Sequence, residues 1–440
     1  MIELVTTLPP PVEEQLGAHL REVFLEAPFS PEQLRAEASA YCAELDHPFV
    51  LVSIPFQEND EITVAIDESR IAEITIEGNR YFTADTLLPQ LRAEKGTPIH
   101  PRALEQDLAW LNRNPFRSCD LVLSPGIVEG QTNLELSVRD RLPFRPYAGS
   151  DNSGTETTSP IRLFGGFQWG DVLRLDHTLS YQFTAAPNPT EFQAHTASYL
   201  APLPWRHLLN VFGTYAQADR LHDAHNRTQG RNWQASLRYQ IPIGLRHEFQ
   251  FGFDYKSLHN AHLLDTSLVN THDGTVRQLE GRYAFTHLNS HLEAEGFLCQ
   301  NYAYTRLALQ HLFLLPADFS LDILARGQLA TTSDLIATEQ FALGGYDSIR
   351  GYPERFLNVA SGLTTSVEAH TPPLLRYATL LLFSDFGYGD STPLLSAGPG
   401  LRLSAAPYFN ARLDYGLQLL STLNRPALSS YLHFSATASY

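Results

Sequence analysis

The sequence predicts two small α+β modules followed by a sixteen-stranded antiparallel transmembrane β-barrel with a long sixth loop. Three observations carry that reading. The order strand-helix-helix-strand-strand occurs twice in the first third of the chain. From residue 143 onward, apolar and polar residues alternate strictly over stretches of about nine to eleven positions, the length of a tilted strand crossing a bilayer. One segment, residues 331–362, suspends that rhythm. Loops of this length are either functional or disordered, and its glycines and aromatics are not the composition of disorder.

Composition sets the outer limits. A chain of 440 residues is too long for one ordinary domain. The 48 Asp and Glu outnumber the 31 Lys and Arg, for a net charge of −17. That balance argues against nucleic acid as a partner, since phosphate binding needs clustered cations. Cys42, Cys119 and Cys299 lie far apart and form neither a disulfide framework nor a metal-ligand pair. They read as single buried thiols. No apolar run is long enough for a transmembrane helix; the best, residues 374–383, contains Arg376. The first residues show no basic segment followed by an apolar core, so no secretory signal is visible.

The first module is expected over residues 1–68. Strands are expected over 2–6, 49–54 and 61–66, with helices over 14–24 and from Ser30 and Pro31 to about residue 45. The second covers residues 69–142. There 71–76 alternates as a strand, Gly78 and Asn79 turn it, and Thr83 is placed to cap a helix reaching residue 92. A second helix over 101–112 puts Leu104, Leu108 and Leu111 on one face, and strands over 120–123 and 132–139 close the unit. Tandem modules with short sheets leave exposed edges that can accept an extended chain by strand addition.

Residues 143–440 are the barrel. Over 247–255, Phe249, Phe251, Phe253 and Tyr255 share one face, and Glu248, Gln250, Gly252 and Asp254 the other. Residues 173–183, 411–419 and 432–440 divide in the same way. Tight connections such as Gly170 with Asp171, or Pro372 with Pro373, alternate with longer ones expected at 151–160, 218–230 and 259–274. Short turns at one end and long loops at the other are the asymmetry of an outer-membrane barrel. With the modules in the periplasm, the loop holding Gly344, Gly345, Arg350, Gly351 and Tyr352 joins strands eleven and twelve on the outside, from where it can fold back into the lumen.

These residues carry a family likeness. The run from Leu343 through Gly344, Gly345, Tyr346, Asp347, Ser348, Ile349, Arg350 and Gly351 to Tyr352 resembles the sixth-loop motif of the surface-antigen barrel superfamily. The two modules resemble its polypeptide-transport-associated (POTRA) repeats. Leu111 to Phe116 (LNRNPF), Val138 to Arg141 (VRDR) and Tyr147 to Gly154 (YAGSDNSG) look like the two-partner secretion transporters of the haemolysin type. Phe383, Asp385 and Gly387 match the superfamily's second motif, on a barrel strand. The resemblance implies that Arg350 reaches the lumen and pairs with Asp385, and a guanidinium in a partly dry lumen does need a carboxylate. Glu368 is the rival or second acceptor. Asp385 lies on the polar side if Leu382, Ser384 and Phe386 face outward, but Phe383 shares its face, so alternation alone leaves the phase open. Phe434 and the terminal Tyr440 lie on one face of the last strand and resemble the signal by which barrel-assembly machinery recognises its clients. Tyrosine there departs from the usual phenylalanine, and the family's plug helix is missing before the first module.

The resemblance implies an outer-membrane polypeptide translocase with its modules in the periplasm, a secreted polypeptide as client and lipid around the barrel. A barrel-assembly insertase and a passive porin or adhesin are the alternatives. No enzyme is expected: no nucleophile elbow, phosphate loop or dinucleotide motif is present. No cofactor or metal is expected either. His222 with His225 and His259 with His262 have H-x-x-H spacing in predicted outer loops, where surface histidines are the ordinary explanation.

Overall fold

The computed structural model describes residues 2–24, 30–58, 61–155, 158–221, 226–264, 267–374, 376–422 and 425–440. It divides into two compact units, residues 1–143 and 144–440.

In the first unit, β1 (Ile2–Thr6), α1 (Pro10–Val23), α2 (Pro31–Glu44), β2 (Val50–Glu58) and β3 (Glu61–Glu68) form one module. Its sheet runs β1-β3-β2, with β1 parallel to β3 and β2 antiparallel to it. Leu16 and Leu20 of α1 and Leu34, Ala38 and Cys42 of α2 are buried against Val64 and Ile66 of the sheet. A capping box starts α2: Gln33 N donates to Ser30 Oγ at 3.2 Å and Ser30 N to Gln33 Oε1 at 2.9 Å.

The second module contains β4 (Arg70–Glu77), α3 (Ala84–Leu87), α4 (Pro101–Leu111), β5 (Arg117–Pro125) and β6 (Gln131–Asp140), with sheet order β4-β6-β5. The helix expected over 83–92 is corrected to the single turn of α3 followed by a 3-10 turn, Leu88–Gln90. Pro89 has no N–H to continue the ladder, and Thr83 Oγ1 bonds Thr86 Oγ1 at 2.9 Å instead of capping the main chain. Asp140 closes this module by accepting from the N–H groups of Arg80, Tyr81 and Phe82. Strands β2 and β5 each pair on one side only.

The second unit is a closed barrel of sixteen antiparallel strands. It begins with β7 (Phe144–Asp151), β8 (Arg162–Val172), β9 (His177–Ala185) and β10 (Phe192–Pro202). Four longer strands follow: β11 (Leu208–Leu221), β12 (Asn226–Ile243), β13 (His247–Leu264) and β14 (Ser267–His287). Then come β15 (Ser290–Cys299), β16 (Ala303–Leu314) and β17 (Ser320–Ala330). The long loop holds a small hairpin, β18 (Phe341–Leu343) with β19 (Leu357–Val359), outside the barrel sheet. The wall resumes with β20 (Gly362–His370), β21 (Ala378–Gly389), β22 (Thr392–Ala405), β23 (Phe409–Gln418) and β24 (Ser430–Ser439). The loop therefore joins the eleventh and twelfth barrel strands.

Strand β24 closes on β7 through five residue pairs, from Ser435↔Asp151 to Ser439↔Tyr147, the shortest ladder in the wall. Side chains extend this seam. Asn152 Nδ2 donates to Leu432 O at 2.6 Å, Phe434 N donates to Asn152 Oδ1 at 2.9 Å, and Arg145 Nη2 donates to Ser439 Oγ at 2.7 Å. Alternation puts Phe249, Phe251 and Phe253 on the outside, while Gln250 and Asp254 are buried within. An apolar exterior around a polar interior is the arrangement of a barrel immersed in lipid.

The expected long loops at 218–230 and 259–274 are instead largely strand. β11 pairs with β12 out to Leu221↔Arg227, and β13 with β14 out to Leu264↔Ser267. Polar composition suggested loops, but a hairpin projecting past the bilayer satisfies its main chain by pairing and needs no apolar row. His259 thus lies on β13, where it pairs with Asp273, and His262 lies on the same strand. His222 and His225 fall outside the described residues. No helix among the described residues is long and apolar enough to cross a membrane, which says nothing of strands.

Candidate functional site: the loop anchored in the lumen

Within the loop, local sequence makes the fold-back possible. Gly344, Gly345 and Gly351 all have positive φ, at 95°, 115° and 90°, a region that side chains with a Cβ rarely enter. A Cβ on Gly345 would sit 2.2 Å from Glu354 Oε2, and the other oxygen of that carboxylate, Oε1, accepts from Tyr346 N. Tyr352 is fully buried with Leu343, Ile349, Val359 and Leu394. This cluster packs four loop residues against Leu394 of the wall strand β22.

Arg350 is 2% exposed and Asp385 not at all. Arg350 Nε donates to Asp385 Oδ2 at 2.8 Å and Nη2 to Oδ1 at 2.7 Å, a bidentate pair. The main-chain N–H of Arg350 donates to Oδ2 as well, at 3.0 Å. Nη1 donates to Glu368 Oε1 at 2.5 Å, so Glu368 is a second acceptor beside Asp385 rather than an alternative to it. Asp347 makes no such bond; its carboxylate faces Arg412 at 3.4 Å.

The phase of β21 is resolved by burial. Leu382 is 66% exposed, whereas Phe383 is 4% exposed and shares the lumen face with Asp385. An inward phenylalanine has a use here: the Arg350 guanidinium lies 3.6 Å from its ring centroid, a cation–π contact on the side that the carboxylates leave free. Gly387 makes room, since a Cβ there would lie 2.0 Å from Ile349 Cδ1.

Several participants escaped the sequence reading. Asp414 on β23 is fully buried and accepts from Arg402 Nη1 at 2.7 Å and Arg412 Nε at 2.6 Å, with Arg350 Nη1 at 3.7 Å. Arg350, Arg402 and Arg412 are thereby balanced by Asp385, Glu368 and Asp414, which is how charges persist in a poorly hydrated interior. Arg412 also donates to Tyr346 O at 2.8 Å and lies over that ring at 3.9 Å. Ser366 Oγ donates to Asp385 Oδ1 at 2.6 Å. Gln418 Nε2 donates to Gly351 O at 2.6 Å, and Gly351 N donates to His433 Nε2 at 3.2 Å. Gly351 passes against Gly416, where a Cβ would stand 2.4 Å from Gly351 N. The only sequence signal for these was polarity or glycine on a lumen row.

Phe434 lies on β24 and joins the seam through its N–H, whereas Tyr440, expected on the same strand, falls just past its end at Ser439. Tyr440 is exposed, and its N–H donates to Pro146 O at 3.2 Å. Among the described residues no group of three or more His, Cys, Asp or Glu could hold a metal ion.

No protein-family model matches the chain. It is 24% identical over 348 residues to the heme/hemopexin transporter protein HuxB of Haemophilus influenzae, covering 69% of this chain and 61% of that protein. It is likewise 24% identical over 335 residues to the outer membrane transporter CdiB of Escherichia coli, covering 68% and 55%. The structure of CdiB from Escherichia coli superposes over 99% of this chain and 90% of that one, with a TM-score of 0.79 at 14% identity. The chain is thus similar in sequence to two outer-membrane transporters and shares the fold of one of them. The likeness to BamA from Haemophilus ducreyi lacking POTRA domains 1–3 has a TM-score of 0.60 at 13% identity over the whole chain. The transporter relatives and the shared barrel agree with the lipid-facing exterior, which makes this an outer-membrane protein. The chain spans less than two thirds of the length of the curated relatives it matches.

Proposed function

We propose that the chain is an outer-membrane polypeptide translocase. The modules at 1–68 and 69–142 catch an unfolded secreted client in the periplasm, and the barrel passes it outward. Capture uses the open edges of strands such as β2 and β5, which offer main-chain hydrogen bonds with little demand on client sequence. The loop, held through Arg350, braces the lumen and governs its opening. The observation that carries this reading is a loop arginine buried in the lumen on three carboxylates, in a chain whose relatives are transporters. A loop serving only as an outer surface would have no reason to carry an arginine into a buried position among carboxylates. No nucleotide site is evident, so client folding outside the cell supplies the drive. Lipid around the barrel and assembly machinery acting on the segment of Phe434 and Tyr440 belong to the same proposal.

The test is export of a client by the Arg350→Ala variant, with assembly followed by heat-modifiable migration. Lost export from an assembled barrel supports the reading, and undiminished export removes it. The short seam between β7 and β24 favours a second reading, an insertase that opens laterally. Many barrel clients rather than one or two secreted ones would mark that activity.

A further inference from the structure

The loop is held a second time, through a residue eleven positions before Arg350, and no motif points to the place. Glu339, in the leg of the loop before β18, is 1% exposed. Its carboxylate accepts from Lys256 Nζ of β13 at 2.8 Å and from the Tyr304 hydroxyl of β16. Its main-chain oxygen accepts from Gln328 Nε2 of β17 at 2.9 Å and Arg306 Nη2 of β16 at 3.4 Å. Gln328 Nε2 also reaches Ala360 O at 2.9 Å and so clips the two legs of the loop together at their root. Nearby, Ile336 packs on a cluster of Leu258, Val276, Phe297, Cys299 and Tyr304.

Glu339 and Lys256 also border a polar cavity of about 380 Å³ in the lumen, together with Arg238, Glu280, Glu295 and Arg306. The Glu339 carboxylate is held from the seventh and tenth barrel strands and its main chain from the tenth and eleventh, whereas Arg350 is held from the twelfth, thirteenth and fifteenth. The two attachments also differ in kind. Arg350 is bidentate and shared among three carboxylates, whereas Lys256 offers Glu339 a single point contact beside open polar space.

We propose that Glu339 is a second positioning residue of the loop, and that the Lys256–Glu339 pair fixes one boundary of the lumen's free space. Its release widens the passage while the Arg350 attachment holds. The role in translocation rests on the reading above, but the positioning role can be tested without a client. Removing one partner alone strands a buried charge. The neutral double variant Lys256→Met/Glu339→Gln avoids that penalty and is the one to rely on for assembly.

The experiment measures single-channel conductance in planar phospholipid bilayers for the full chain, Lys256→Met, Glu339→Gln, the double variant and Tyr304→Phe. Each single charge variant is expected to conduct roughly twofold more than the wild type, or better, since conductance follows pore width. The double variant should conduct no more than the larger single, because both remove one contact. Tyr304→Phe should shift conductance in the same direction. A double variant that migrates as a heat-modifiable barrel and conducts as the wild type does would overturn the proposal. Raised conductance without client export would leave Glu339 in its role and count only against translocation.

Discussion

Arg350 donates to both carboxylate oxygens of Asp385 from its side chain and to one of them again from its main chain, so two residues join loop and wall three times. The main-chain bond fixes where the loop turns, and the side-chain fork fixes which strand it meets. Lysine could supply the charge but not the fork. Arg350→Lys is therefore expected to lose most export although it keeps the charge. Proteolysis of the loop in outer-membrane preparations should show it loosened, since a single ammonium cannot span both oxygens of Asp385 and Glu368 at once.

Asp414 should matter as much as Asp385. With Asp414→Asn, the three arginines keep only two carboxylates on the wall strands, and Arg402 and Arg412 lose the charged acceptor they share. The expected result is a loop cut by protease at rates similar to those of Asp385→Asn, in a barrel of unchanged heat modifiability. Resistance equal to the wild type would show Asp414 to be dispensable.

Gly387 and Ile349 form a lock that can be taken apart by size. Gly387→Ala puts a methyl into the space of Ile349 Cδ1, an overpacking expected to cost about 1–3 kcal/mol. Ile349→Val removes that Cδ1 and is expected to restore export to the Gly387→Ala barrel. Failure of the suppressor would place the defect in the strand rather than the loop.

These predictions separate what the sequence could reveal from what it could not. Alternation alone gave the barrel, because every strand must present one apolar row to lipid, and the glycines of the loop signalled its unusual backbone. Asp385 was found through a motif, and its inward direction was settled only by the burial of Phe383, an apolar residue on a polar row. Asp414, Arg412 and His433 each look like any other polar lumen residue. What distinguishes them is their depth in the barrel, which follows from the stagger between strands far apart in sequence. The polar stretches 218–230 and 259–274 misled for a related reason: above the bilayer, pairing rather than composition decides that they are strands. Glu339 is an ordinary loop acid until Lys256 and Tyr304 close on it.

The first module offers a chemical check. Cys42 is wholly buried between α2 and the sheet, and burial pushes its thiol up to about 11. At pH 8 only about a thousandth is thiolate, the form that reacts. Maleimide should leave Cys42 unlabelled in the native chain and label it in urea, as read by peptide mapping. Native labelling would contradict the packing of this module.

The seam can be tested by closing it. A disulfide between Ser150→Cys and Ala436→Cys, which face each other across β7 and β24, should leave export through the lumen intact. Export that stops on oxidation and returns on reduction would favour lateral opening and the insertase reading.

The central claim is that Arg350 and Asp385 act as one device in translocation. The most direct measurement is a double-mutant cycle on client export, with Arg350→Ala, Asp385→Ala and both together in barrels shown to be assembled. The account predicts that the double variant is no worse than either single, because each already removes the tether. Independent, additive losses, or normal export by Arg350→Ala, would contradict it.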